Sequence, residues 1–133
     1  MARRKRAVKL IQPEQAGSPA RKAAKHKILS VGSLPELLWL REAVLRHAGF
    51  DVLTTTDPKE GVAHIERGHC GVLLFCYSLP LLMRKRLAQS FRTNCPDGRI
   101  VTITNEKSEP EFADVFVYGV DGPEALIDAI RNV

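Results

Sequence analysis

From Lys27 onward the apolar positions fall into a repeating order of short runs and helical stripes. "KILSV" (27–31) is a compact run of apolar and small residues, the pattern of a strand. "SLPELLWLREAVLRHAGF" (33–50) then shows a helical period, with Leu37, Leu40, Val44 and Ala48 predicted on the inner face. Ser33 and Glu36 have capping-box spacing, Pro35 suits the first turn, and Gly49 suits the stop. "DVLTT" (51–55) reads as a second strand. "DPKEGVAHIERG" (57–68) reads as a second helix, with Asp57 and Glu60 at its start and Val62, Ala63 and Ile65 inward. "GVLLFC" (71–76) has no alternation, as expected of a strand covered on both faces. Residues 82–92 predict a third helix through Met83, Leu87 and Phe91. "RIVTIT" (99–104) and "VFVY" (115–118) predict two more strands. "DGPEALIDAIRNV" (121–133) predicts a last helix capped by Asp121 and Glu124, with Leu126, Ala129, Ile130 and Val133 facing in.

Strand and helix alternate through the chain, which implies a doubly wound α/β domain: a mainly parallel sheet with helices on both faces. Ligands in such sheets bind beyond the carboxyl ends of the strands. The positions to inspect are therefore Gly32 and Ser33, Cys76, Thr104, and Tyr118 to Gly119. Residues 1–26 show no sustained apolar period and cannot bury enough surface to offset their ordering entropy. The expected organisation is a disordered basic tail, 1–26, and one folded domain, 27–133.

Charge sharpens that division. The net formal charge is +5, but residues 1–27 hold nine Lys/Arg against one acid, a balance of +8. The remainder holds eleven against fourteen, a balance of −3. Arg3, Arg4, Lys5, Arg6, Arg21, Lys22, Lys25 and Lys27 make the tail a candidate for weak, sequence-independent nucleic-acid contact. No aromatics interleave with these charges, so base stacking is not indicated. "RKR" at 84–86 is expected to be a solvated face that adds cationic charge near the site rim. Three cysteines without CxxC spacing argue against a disulfide framework and fit a reducing, cytoplasmic setting. The run Gly71–Met83 is too short to span a bilayer, and no apolar core follows the basic start, so neither membrane insertion nor export is expected.

Several phrases, in order, resemble the receiver domains of two-component response regulators. "ILSVGSLPELL" resembles the first strand leading into an acidic pair. "GVLLFCYSLP" resembles the third strand, where the phosphoacceptor Asp stands four residues before a Pro. "RIVTIT" resembles the strand ending in the switch Thr, and "FVYGVDGPEALIDAIR" the last strand and helix. The resemblance covers residues 27–133. It implies a flavodoxin-like five-stranded sheet of order 2-1-3-4-5, with the fourth helix shortened or missing because residues 105–114 are too few for it.

Carried over by position, the acidic pair falls on Gly32 and Ser33, the phosphoacceptor on Cys76, the switch hydroxyl on Thr104, the switch aromatic on Phe116, and the invariant Lys on Gly119. Aspartyl phosphorylation needs a carboxylate nucleophile and a hard Mg²⁺ held by oxygen anions, whereas thiols suit soft metals. The expectation is thus a pseudo-receiver that is not phosphorylated on aspartate, needs no cofactor or metal, and is not an enzyme. It would act as a protein-interaction module for a signalling partner, as a monomer or a weak homodimer. The alternative is a nucleic-acid-associated protein that binds through the tail.

Cys76 reads as a small buried hydrophobe, with a redox-sensing thiol as the sharper alternative. Thr104 reads as a hydroxyl tying down a loop. A metal site of His69, Cys70 and Cys76 is disfavoured, because neighbours on a strand point to opposite faces. His47 and His64 are expected in solvent, and Trp39 partly exposed.

Overall fold

The structure, a computed structural model, describes residues 27–105 and 112–133. The basic tail, 1–26, lies outside the described residues. Strands β1 (Lys27–Val31), β2 (Asp51–Thr55), β3 (Val72–Cys76), β4 (Arg99–Thr104) and β5 (Val115–Tyr118) alternate with helices. These are α1 (Pro35–His47), α2 (Pro58–Glu66), α3 (Leu81–Asn94) and α4 (Gly122–Arg131), the last entered through a 3₁₀ turn, Gly119–Asp121. All strand pairs are parallel and the order is β2-β1-β3-β4-β5, the order the receiver resemblance implies. β4 and β5 are joined by residues 105–114, of which 106–111 lie outside the described residues.

Each strand sends alternate side chains to opposite faces, and the two cores follow from that. On one face Ile28, Val52, Val72, Leu74, Val101 and Ile103 pack with Leu45 of α1 and with Leu126 and Ile130 of α4. On the other, Leu29, Val31, Leu73, Phe75 and Ile100 pack with Ile65 of α2 and with Leu87, Ala88 and Phe91 of α3. β3 is central and buried along its whole length, which is why its sequence lacks alternation.

The helix starts differ from the sequence reading in instructive ways. Asp57 caps α2, accepting from the Lys59 N–H at 2.9 Å, but Glu60 does not reach back to the cap. Its carboxylate accepts from the Thr55 hydroxyl at 2.8 Å instead. α1 is capped at Leu34 and α4 at Asp121, neither by a side-chain hydrogen bond. Ser33 stands one residue too early to cap and turns toward the β3–α3 loop. Met83 is exposed rather than inward, because the buried stripe of α3 begins at Leu87.

The inner face of α1 is also corrected. Leu38 and Leu45 are its buried residues, while Leu37 and Leu40 are exposed. With Leu at 37, 38 and 40, two adjacent stripes are equally apolar. The sheet takes the stripe of Leu38 and Leu45, and the stripe of Leu37, Leu40 and Val44 is left facing α4.

Cys70 and Cys95 form a disulfide with Cα atoms 5.1 Å apart, contrary to the expectation of free thiols. It ties the α2–β3 loop to the end of α3, two points that sequence spacing does not bring together. Gly98 lies beside it, and a Cβ there would stand 2.4 Å from the Phe91 ring and 2.6 Å from the Cys70 carbonyl. Only glycine fits without a shift of backbone.

The chain returning into β5 is held firmly. Asp114 accepts from Arg92 at 2.8 Å and from the Ile100 N–H at 2.8 Å, while Arg92 also donates to the Phe112 carbonyl. Burial pushes the Asp114 carboxyl up, but Arg92 and the Ile100 N–H outweigh it and hold the pKa below the usual carboxylate range.

Candidate functional site

In a parallel sheet all carboxyl ends lie on one edge, so the topology gathers Gly32, Ser33, Cys76, Thr104 and Gly119 there. What they offer is mostly backbone, one thiol and two hydroxyls. Gly32 is buried, and its N–H donates to the Thr55 carbonyl at 3.3 Å. A Cβ at Gly32 would meet Leu38 Cδ2 at 3.1 Å. Leu38 therefore crowds this position and would have to give by a few tenths of an ångström to admit a side chain.

Ser33 is exposed, and its hydroxyl lies 3.5 Å from the Ser78 carbonyl and 3.4 Å from the Ser78 hydroxyl. These are long, weak contacts, yet they bring the β1–α1 and β3–α3 loops together. Thr104 is 1% exposed, and its hydroxyl donates to the Asn105 carbonyl at 3.4 Å.

Cys76 is 3% exposed and belongs to the core cluster of Ile28, Leu45, Leu74, Val101 and Ile103. It is a free cysteine, paired in register with Ile103. The polar side chain that reaches it is Arg41, whose Nη2 lies 3.8 Å from Sγ. The thiol thus sits in apolar packing with a guanidinium over it.

Gly119 follows β5, and a Cβ there would make only ordinary contacts, with Ile103 Cγ2 at 3.6 Å and the Thr104 carbonyl at 3.9 Å. Phe116 is 45% exposed and packs edge-to-face with Tyr118 at 5.6 Å. Val115 and Val117 turn the other way, into the core with α4. β5 therefore presents two aromatic rings outward, on the sheet face opposite α4.

Three residues of this region carry no signal in the strand-end reading. Arg41 reaches Cys76, Leu38 fills the position beside Gly32, and Ser78 meets Ser33. The first two share a period that the sequence does contain, since Leu38, Arg41 and Leu45 are spaced by three and four. Cys70, weighed as a metal ligand, is engaged in the disulfide. His69 is half-buried with Nε2 lacking a hydrogen-bond partner among the described residues, and burial holds its pKa below the usual imidazole value. Among the described residues no three His, Cys, Asp or Glu side chains converge to hold a metal ion. No helix among them is long and apolar enough to cross a membrane.

No known family model matches this sequence, and no curated protein matches it. Solved structures do, and they share the fold of CheY-like response-regulator receiver domains. A receiver domain protein from Methanospirillum hungatei JF-1 aligns with TM-score 0.69 and 22% identity, over 79% of this chain and 90% of its own. The receiver domain of sensor histidine kinase PA1611 from Pseudomonas aeruginosa PAO1, with magnesium coordinated in its active site cleft, gives 0.68 and 20%, over 79% and 93%. A chain from the complex of histidine kinase ThkA with response regulator TrrA, the latter from Thermotoga maritima, gives 0.67 and 19%, over 79% and 95%. The chain has the receiver fold of two-component signalling proteins.

Proposed function

We propose that this chain is a pseudo-receiver that takes no phosphoryl group on aspartate and works as a protein-interaction module in signal transduction, without catalytic activity of its own. The observation that supports this most is the packing at the phosphoacceptor position. Cys76 is a core residue under Arg41, and Leu38 packs close against Gly32. Mg²⁺ demands several oxygen ligands in near-octahedral geometry. The candidate positions supply hydroxyls and backbone, and the cation expected against a phosphoryl group is replaced by Gly119.

The interaction surface in this reading runs from the outward face of β5, where Phe116 and Tyr118 stand exposed, around the edge of that strand to α4. Aromatic side chains are enriched at the energetic centres of interfaces. A kinase–regulator complex among the structural neighbours makes a signalling protein the natural class of partner. Incubation with Mg²⁺ and acetyl phosphate, read by intact mass, is expected to leave the mass unchanged. A covalent phosphoryl adduct that survives in Cys76→Ala would overturn the proposal.

A second reading rests on the charge of residues 1–27, +8 from nine basic residues and one acid. Such a segment supports salt-sensitive nucleic-acid binding. Under this reading, duplex DNA binding is lost with residues 1–26 and falls steeply with salt. No binding at physiological salt by the full chain would end it.

A further inference from the structure

The stripe of α1 left off the sheet forms one wall of a groove. Leu37, Leu40 and Val44 line it from α1, Val117 and Tyr118 from β5, and Pro123 and Leu126 from α4. The groove encloses about 230 Å³, below the 300–1,000 Å³ typical of drug-sized ligands. At the ~30 Å³ one water occupies, this is room for about eight methylene-sized groups.

One charge lines it. Arg41 is half-buried, and its only polar partner among the described residues is the Cys76 sulfur at 3.8 Å. A guanidinium carries five N–H donors, and a thiol is a weak acceptor that occupies one. A half-buried cation in an apolar lining is stabilised by an anion, and a carboxylate matches its fork geometry with two parallel hydrogen bonds. The chain's own tail is a poor complement, since Glu14 is its one acid among nine basic residues.

We propose that this groove is a binding site for a small apolar monocarboxylate, with the carboxylate on Arg41 and the hydrocarbon between α1 and α4. The groove adjoins the aromatic face of β5, since Tyr118 belongs to both, but the proposal does not rest on how the chain signals.

Octanoate is the probe, titrated against the full chain and followed by amide chemical shifts of residues 117–126. Saturable shifts confined to the groove are expected, with affinity at least tenfold above that for octan-1-ol, which has the same chain and no charge. Arg41→Leu is expected to abolish the preference for the acid. Leu40→Glu changes an exposed wall residue, so folding is not at issue, and it is expected to weaken octanoate at least tenfold by repulsion. Equal affinity for octanol and octanoate, shifts mapping elsewhere, or no saturation at millimolar concentration would each overturn the proposal. A leucine-ended peptide with a free carboxylate that binds more tightly than octanoate would also overturn it, by making the site a peptide site.

Discussion

Replacing Cys76 by aspartate puts a carboxylate at the end of β3 and tests whether that position is a solvated site or core. The side chains are similar in size, so charge is the variable. An unfolded Asp titrates near 3.9, and each tenfold change in its proton affinity on folding is worth about 1.36 kcal/mol. At 3% exposure the carboxyl belongs with buried groups whose pKa rises by up to ~3–5. A folded-state pKa above the unfolded one means that destabilisation begins above about pH 3.9 and deepens until the folded carboxyl itself ionises. If that point lies above pH 7, the cost is about 4 kcal/mol at pH 7 and about 1.5 kcal/mol at pH 5.

Arg41, 3.8 Å from the sulfur, opposes this. Unit charges about 4 Å apart attract by about 4 kcal/mol at an effective dielectric of 20. The offset is as large as the penalty, so the single variant cannot decide the matter. The measurement belongs in the Arg41→Leu background, by urea unfolding of R41L and C76D/R41L at both pH values. The added aspartate is expected to cost about 4 kcal/mol at pH 7 and to regain about 2.7 kcal/mol at pH 5. In the presence of Arg41 both figures should shrink by at least half. A double variant whose stability relative to R41L does not change with pH would show a solvated carboxylate, and the closed-site reasoning would fail.

Two further outcomes follow from the packing. Cleaving the Cys70–Cys95 bridge, which closes a loop of 25 residues, should cost about 3.5 kcal/mol by loop entropy and lower Tm by about 15 °C. Calorimetry with and without reductant checks this, and an unchanged Tm alongside two newly reactive thiols would refute it. Acid should destabilise the domain in two stages. His69 has a lowered folded pKa, so stability is full above about pH 6.5 and declines below it as the unfolded imidazole takes up a proton. Asp114, also lowered, holds its contribution above about pH 3.9 and loses it as pH falls toward its folded value. Urea midpoints against pH should lose the first stage in His69→Asn and the second in Asp114→Asn; identical profiles in both variants would refute the assignment.

The strands were the most legible part of the chain because each depends on a contiguous run. "VLLFC" is buried at every position, and its sequence says so. The order of the sheet came from alternation and resemblance together. The first helix was less legible, since "ELLWL" carries two apolar stripes and only the neighbouring elements select Leu38 and Leu45 over Leu37 and Leu40. Capping was misread where a polar side chain had a better partner: Ser33 turns to Ser78, and Glu60 to Thr55. The disulfide joins residues that become neighbours only after α3 has folded back, so no local pattern announces it.

The candidate edge was legible as a set of positions but not as a packed object. The ends of β1, β3, β4 and β5 could be located from "SVGS", "FCYSLP", "TIT" and "VYG". What fills the edge comes from α1, whose charged residue on a buried stripe is easily passed over as surface. Leu38 and Arg41 sit on that stripe one turn apart, one beside Gly32 and the other over Cys76. The substitutions are therefore coupled. A side chain at position 32 would meet Leu38, and a carboxylate at position 76 would meet Arg41, so neither position can take an acidic residue without acting on the same helix. That helix also walls the groove, and Ile103, the register partner of Cys76, lines it from the sheet side. An occupant of the groove would press on Arg41 and Ile103, the two residues beside Cys76, which makes α1 the element through which the two regions can influence each other.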